Sequence, residues 1–327
     1  MTNKHSEAHA PLAGHRHAGH HHGVQADADR RYLSAALVLI TAFMAVEVTV
    51  GLLARSLALI SDAGHMLTDA AAIVLALIAM RLAALPPRGG YTFGLKRAEI
   101  ISALVNGVTL LLLAGYFVVE GVRRFVSPPE VNGLFVVVTG AIGIVVNVIA
   151  TWLVSKANRG SLNVEGAFQH LLNDLYAFIS TTVAGLVVWL TGWTRADAVA
   201  ALIVAALMLK AGWGLVRASG RVFLESAPHG LDPESAGAEL ARLDGVVEVH
   251  DVHVWEITSG YVAASAHILV APGTSRGAVQ SAAQRLLHDR YEIAHATLQI
   301  ERVPPVPGPH CADPHGRTYP GAALSWP

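Results

Sequence analysis

Leu57-Ala58-Leu59-Ile60-Ser61-Asp62-Ala63-Gly64-His65-Met66-Leu67-Thr68-Asp69 sets a histidine and two acids inside a segment that is otherwise apolar from Leu57 to Met80. A run of that length, about 20 residues or more, reads as a helix that spans a membrane. On a helix, Asp62, His65 and Asp69 fall at i, i+3 and i+7 and project from one stripe. Unpaired ionisable groups at membrane depth are costly, so they face a bundle interior, pair with one another, or bind something. A lone His-x-x-x-Asp is ordinarily a hydrogen-bonded core pair. Here the spacing recurs in a second hydrophobic stretch, His170-Leu171-Leu172-Asn173-Asp174. His65, Asp69, His170 and Asp174 together supply two imidazoles and two carboxylates, a donor set suited to tetrahedral zinc.

The rest of the composition agrees with a membrane protein. The chain has 327 residues, 14% of them charged, and a mean hydropathy of +0.47, which excludes a soluble enzyme with a large core. Formal net charge is −1, and no basic patch interleaves with aromatics, so nucleic acid is not an expected partner. The single cysteine, Cys311, excludes an internal disulfide framework and a thiolate-rich zinc site. The polar N-terminus carries no apolar core behind a charged start, so no cleavable signal peptide is expected.

Residues 1–30 hold His5, His9, His15, His17, His20, His21 and His22 among glycine and alanine. Such a segment cannot bury enough apolar surface to fold alone, and histidine-rich tracts bind metal loosely. We expect a disordered tail that captures metal. Six apolar spans follow at about 32–54, 57–82, 98–122, 131–155, 163–190 and 196–218, making 31–222 the transmembrane domain. Pro86-Pro87-Arg88-Gly89-Gly90 breaks the chain between the second and third. Arg30, Arg31, Arg81, Arg88, Lys96, Arg97, Lys156, Arg159, Arg217 and Arg221 all fall on one side of a six-span chain, so both termini are expected in the cytoplasm. Arg123 and Arg124 are outnumbered exceptions on the other side. Asn106, Asn147 and Asn173 inside spans are expected to hydrogen-bond between helices. Glu47 leaves two readings open, a vestibule or proton-relay carboxylate and a structural one.

Soluble patterning begins near residue 226. Asp232-Pro233-Glu234 opens a helix, with Asp232 as N-cap and proline at the first helical position. Val247 to Ile257 and Tyr261 to Val270 read as a hairpin around Ser259-Gly260. Thr274 or Ser275 starts a second helix to about Arg290, and His295 to Val303 alternates with Ala296, Leu298 and Ile300 on one face. This α-β-β-α-β order over 226–303 predicts two helices on one face of a three-stranded sheet. Residues 304–327, rich in proline and glycine, are expected to be a disordered tail.

Six segments in this order resemble the cation diffusion facilitator family, in its bacterial zinc/cadmium/cobalt efflux branch: 56–69, Tyr91-Thr-Phe-Gly-Leu-Lys-Arg-Ala-Glu99, Glu165 to Asp174, Phe223-Leu-Glu-Ser-Ala-Pro228, His250-Asp-Val-His-Val-Trp255 and His295 to Glu301. The resemblance covers about residues 30–303. It implies an α-helical membrane protein of six transmembrane helices with a cytoplasmic αββαβ, ferredoxin-like domain. It also implies a homodimer in the bacterial inner membrane that exports Zn²⁺ in exchange for protons, without being an enzyme. The family's central site falls on His65, Asp69, His170 and Asp174. Its cytoplasmic regulatory site corresponds to His250, His267, Gln299 and Glu301, with glutamine where some relatives have histidine. The resemblance also implies a hinge ion pair between Arg97 and Glu225, which partial desolvation would make stronger than an exposed pair. Leu85 to Gly90 carries no acid or histidine, so no metal site is expected in that loop. Two nitrogens with two oxygens favour zinc and tolerate Cd²⁺ or Co²⁺. The rival classes are an intramembrane metal-dependent enzyme, for which no His-Glu-x-x-His motif occurs, and a metal sensor.

Overall fold

The computed structural model describes residues 22–53, 57–128, 133–303 and 316–321, without the side chains of 22–27, 47, 50–53, 57–65, 133 and 135. Six long helices come first: α1 (His22–Leu53), α2 (Leu57–Ala83), α3 (Ala98–Val126), α4 (Gly133–Ser155), α5 (Leu162–Thr191) and α6 (Arg195–Phe223). Among the described residues, five of them, α2 to α6, contain a stretch long and apolar enough to cross a membrane. Glu47, in α1, has its side chain outside the described ones, as does His65 in α2.

Residues 22–30, expected in the disordered tail, instead extend α1 at its N-terminal end. Two tertiary hydrogen bonds hold this turn. The Asp29 carboxylate accepts from the Asn158 amide at 2.8 Å, and Arg30 donates to the Met80 carbonyl at 3.2 Å. Composition read locally does not reveal such anchors. Residues 1–21, with six of the seven histidines, lie outside the described ones.

The helices sort into two groups. Leu33 and Ile40 of α1, Met66 and Ile73 of α2, Val154 of α4 and Phe168 and Leu171 of α5 share one buried core. α3 and α6 pack on each other through Leu110, Ala114, Val204, Met208 and Leu215. Their closest approach is at glycine. A Cβ on Gly107 would meet Leu215 Cβ at 2.9 Å, and one on Gly212 would meet the Gly107 carbonyl oxygen at 2.8 Å. Where lipid supplies no hydrophobic drive between helices, such small-residue contacts let backbones approach and gain dispersion. α5 joins α6 at the far end, where Ala184, Val188, Ala196 and Ala200 are buried together. The two arginines that break the charge rule are ion-paired: Arg124 reaches Glu120 at 2.9 Å and Asp197 on α6 at 3.0 Å, and Arg123 lies 3.7 Å from Glu120.

The asparagines depart from expectation. Asn147 donates to Gly143 O at 3.2 Å and Asn173 to Gln169 O at 2.6 Å, each one turn back in its own helix. A carbonyl four residues away is always within reach on a helix, and it satisfies the amide without a partner helix. Asn106 presses on α5 at Gly166 instead. The interhelical bond belongs to Asn163, whose amide donates to Ala76 O of α2 at 2.9 Å.

The soluble domain runs α7 (Pro233–Leu240), β1 (Val246–Thr258), β2 (Tyr261–Val270), α8 (Arg276–Tyr291), β3 (His295–Arg302) and β4 (Tyr319–Pro320). Its caps are those legible in the sequence. The Asp232 side chain accepts from the Glu234 and Ser235 amides, and Ser275 accepts from Ala278 N. The Ser235 hydroxyl and those two amides hold the Asp232 carboxyl below its usual range. β1 and β2 are antiparallel, while β2 and β3 are parallel across the α8 crossover. Leu240 of α7 and Val279, Ala283 and Leu287 of α8 cover Val249, Val254, Ala264, Ala266 and Ile268. Ala296, Leu298 and Ile300 point into the same core, as the alternation requires.

The expected three-stranded sheet has four strands, in the order β3-β2-β1-β4. Tyr319–Pro320, from the segment expected to be disordered, pairs with Glu248 and Val249, and Gly321 N donates to Val247 O at 2.8 Å. Tyr319 fills the space above Gly237, where a Cβ would come within 2.4 Å of its ring. Arg317 adds an ion pair to Glu234 at 2.6 Å. This strand covers an edge that would otherwise present unpaired backbone groups. Tyr319→Ala is expected to lower the unfolding free energy of the full chain by about 1–3 kcal/mol, below the cost of removing a fully buried aromatic. Unchanged thermal unfolding would show that the strand contributes no stability.

Candidate metal centre

α2 and α5 carry the intramembrane group. Asp69 is 3% exposed and His170 1% exposed. The His170 Nε2 atom lies 3.3 Å from Asp69 Oδ1 and 3.9 Å from Asp174 Oδ2. One ligand atom from each of the three falls within 4.8 Å of the others. Two donors at zinc bonding distances from a tetrahedral centre are about 3.4 Å apart, so these separations are those of a converging ligand set.

The polar atoms are poorly satisfied by the protein itself. Among the described residues, neither ring nitrogen of His170 nor Asp174 Oδ2 has a hydrogen-bond partner. The 3.3 Å approach of Asp69 Oδ1 to His170 Nε2 lacks the direction of a hydrogen bond. Buried polar atoms are otherwise almost always paired, so three orphaned atoms in one place fit a group that binds a cation. Asn163 ties the two helices together: its bond to Ala76 O pins α5 to α2 about two turns away from His170 and Asp69. Sequence reading passed Asn163 over, because it sits at the helix start rather than inside the apolar run. His65 lies one turn before Asp69 on α2, with its side chain outside the described ones.

The soluble domain brings together a different trio from the expected one. His250 and His267 are directly opposite on β1 and β2, with ring centroids 5.2 Å apart. The third member is Asp251, whose Oδ2 is 3.7 Å from His267 Nδ1, and the three converge within 4.8 Å. Asp251 has φ of 51° and sits where the β1–β2 register shifts between His250 and His253. A bulge re-aims one side chain against the strand alternation, and here it brings Asp251 to His250 and His267. Glu301 stands outside the trio. It lies across from Leu269 on β3 and accepts a hydrogen bond from Gln299. His253 faces a cavity between the two domains, and His295 packs edge-on to Phe93 at 5.7 Å.

The domains meet through the loop between α2 and α3. Arg97 Nη2 is 3.4 Å from Glu225 Oε1. Lys96 Nζ lies 5.0 Å above the Tyr261 ring, Thr258 Oγ1 donates to Glu99 at 3.4 Å, and Leu162 N donates to Ser259 Oγ at 2.9 Å. The expected strength of the Arg97–Glu225 pair needs correction, because the side chains are 38% and 65% exposed. At that exposure an ion pair contributes about 0–1 kcal/mol. A double-mutant cycle of Arg97→Glu and Glu225→Arg in thermal stability is expected to give a coupling in that range. A coupling above about 2 kcal/mol would mean that the pair is desolvated after all.

Residues 33–224 match the cation efflux transmembrane domain, and residues 230–303 match the cation efflux protein cytoplasmic domain. The chain is 36% identical over 299 residues to the zinc transporter ZitB of Escherichia coli, covering 91% of this chain and 94% of the relative. It is 34% identical over 287 residues to the cadmium, cobalt and zinc/H(+)-K(+) antiporter of Bacillus velezensis, covering 86% and 92%. The metal cation efflux system protein CzcD of Cupriavidus metallidurans is 33% identical over 288 residues, covering 88% and 91%. With both domains matched in order, and with α2 and α5 that carry Asp69, His170 and Asp174 inside the first, the chain is a transporter rather than an enzyme and belongs to the cation efflux family.

Proposed function

We infer that the chain exports Zn²⁺ from the cytoplasm by exchange with protons, with Cd²⁺ and Co²⁺ as tolerated alternatives. The observation that carries this reading is the convergence of Asp69, His170 and Asp174 at membrane depth. His65, one turn from Asp69 on the same helix, is the proposed fourth ligand. A set of imidazole and carboxylate must lose protons to bind metal and regains them on release. Alternating exposure of the group to the two sides would therefore couple zinc leaving to protons entering. Ligand type sets selectivity: mixed nitrogen and oxygen donors suit zinc and its near neighbours, whereas all-oxygen donors suit harder cations.

The remaining parts of the reading follow from this one. α1 is proposed as the sixth span, which puts both termini in the cytoplasm of a bacterial inner membrane by the distribution of basic loops. The soluble domain, with its αββαβ order in a ferredoxin-like arrangement, is proposed to hold two chains together as a homodimer. The trio His250, Asp251 and His267 is proposed as a cytoplasmic regulatory metal site, with Asp251 in the place expected for Glu301. The N-terminal histidines are proposed to concentrate metal near the membrane without forming part of the path.

Purified protein in proteoliposomes loaded with a zinc-responsive dye tests the reading. Saturable Zn²⁺ flux that depends on the imposed pH gradient is the expected result. Zinc binding without flux would leave a sensor, and the transport reading would be withdrawn.

A further inference from the structure

The first N–H groups of a helix have no partner within it. In α5, the helix that carries His170 and Asp174, the residue placed to satisfy one is Ser161 at the N-cap position. Its side chain makes no capping bond, and its hydroxyl has no partner among the described residues. The acceptor comes from the soluble domain instead. Leu162 N, the first amide of α5, donates to Ser259 Oγ at 2.9 Å. Ser259 sits in the short turn between β1 and β2, whose ends Thr258 and Tyr261 face each other. The turn is held in shape: Gly260 takes a φ of 73°, and its amide donates to the Glu256 carboxylate at 2.7 Å.

The next residue of α5 continues the connection. Asn163 is fully buried and donates to Ala76 O of α2 at 2.9 Å. Seven residues separate Asn163 from His170 on α5, and seven separate Ala76 from Asp69 on α2. Seven residues of helix rise about 10 Å, so this crosspiece meets both ligand-bearing helices at one level, about two turns from the metal-binding group. A helix carries displacement as a rigid element over so short a distance. Movement of α5 against α2 at the crosspiece therefore moves His170 and Asp174 against Asp69.

We propose that Ser259 is a positioning residue for the intramembrane metal group: through Leu162 and Asn163 it fixes the height of α5 against α2, and with it the spacing of Asp69 from His170 and Asp174. This rests on the transport reading above, in which that group holds the transported ion. Ligand sets keep their geometry only when the groups behind them are held in turn. Donors in fixed positions discriminate by geometry between ions that take the same ligands. A loosened crosspiece therefore costs zinc its preference over the larger Cd²⁺ more than it costs transport as such.

Hydrogen exchange and metal competition test this in the full chain. In Ser259→Ala the first amides of α5 are expected to exchange about 2- to 30-fold faster, the range that loss of a helix cap implies. Ser161→Ala is expected to leave them unchanged, because that hydroxyl caps nothing. In proteoliposomes, Ser259→Ala is expected to lower the ratio of Zn²⁺ to Cd²⁺ transported from an equimolar mixture about 3- to 10-fold, below the about 10- to 100-fold for groups that bond a ligand directly. Ser259→Thr keeps the hydroxyl and is expected to retain both the slow exchange and the ratio. A lower Tm with an unchanged ratio would make Ser259 a domain contact only and overturn the positioning role. Unchanged exchange in Ser259→Ala, or an equal loss of ratio in Ser259→Thr, would overturn it as well. Absence of flux of either metal from the unaltered chain would count against the transport reading instead, because exchange at the start of α5 does not depend on it.

Discussion

Asp174→Ala is expected to abolish Zn²⁺ flux while the protein stays folded. Changes even to groups outside the coordination shell weaken metal sites about 10- to 100-fold, so a direct ligand is expected to exceed about 100-fold. Asp174 has one orphaned carboxylate oxygen beside an imidazole with both nitrogens orphaned. Removing it takes away a bond, and it also takes away a negative charge that balances the cation. The folded state has little to lose, because the bulk of the surrounding core comes from Met66, Ile73, Phe168 and Leu171. Proteoliposome flux paired with thermal unfolding separates the two effects. Normal transport by this variant would remove Asp174 from the site, and the assignment of Asp69 and His170 with it.

The second large effect concerns the contact that makes α3 and α6 one unit. Gly212→Val is expected to destabilise the protein by about 1–3 kcal/mol, the range for inserting atoms into a packed interior. Its Cβ would lie 2.8 Å from the Gly107 carbonyl oxygen, 3.0 Å from Leu111 Cγ and 3.1 Å from Leu110 Cβ. A backbone oxygen cannot swing aside as a side chain does, so the helices themselves must separate. Separation would strip the packing of Leu110, Met208 and Leu215 as well. Gly220→Val, on the same helix with nothing within 4 Å of its Cβ, is the matched control. Equal melting temperatures for the two variants would show that the close approach of α3 and α6 is not a source of stability.

Much of this protein is written locally. The helices α2 to α6 follow from apolar runs long enough that in lipid only helical hydrogen bonding satisfies the backbone. The caps at Asp232 and Ser275, the hairpin around Ser259-Gly260 and the alternation of β3 are short-range chemistry, and each fell where its residues indicated. The pairing of Asp69 with His170 and Asp174 was legible for a related reason. A costly motif that occurs twice in apolar surroundings carries its own explanation only if the two copies meet.

What the tertiary structure decided are the features whose cause lies far along the chain. The extra turns of α1 depend on Asn158 and Met80. β4 exists because the edge of β1 and the space above Gly237 receive Tyr319, some 80 residues later in the chain. Asp251 joins His250 and His267 because a shift in pairing between two strands turns its side chain, and no periodicity within β1 alone encodes that shift. Glu301 lies one strand over, on β3, and accepts a hydrogen bond from Gln299. Composition and period determined which segments cross the membrane and which residues had to be explained. Distance in space, set by packing and pairing between remote segments, determined which of those residues meet.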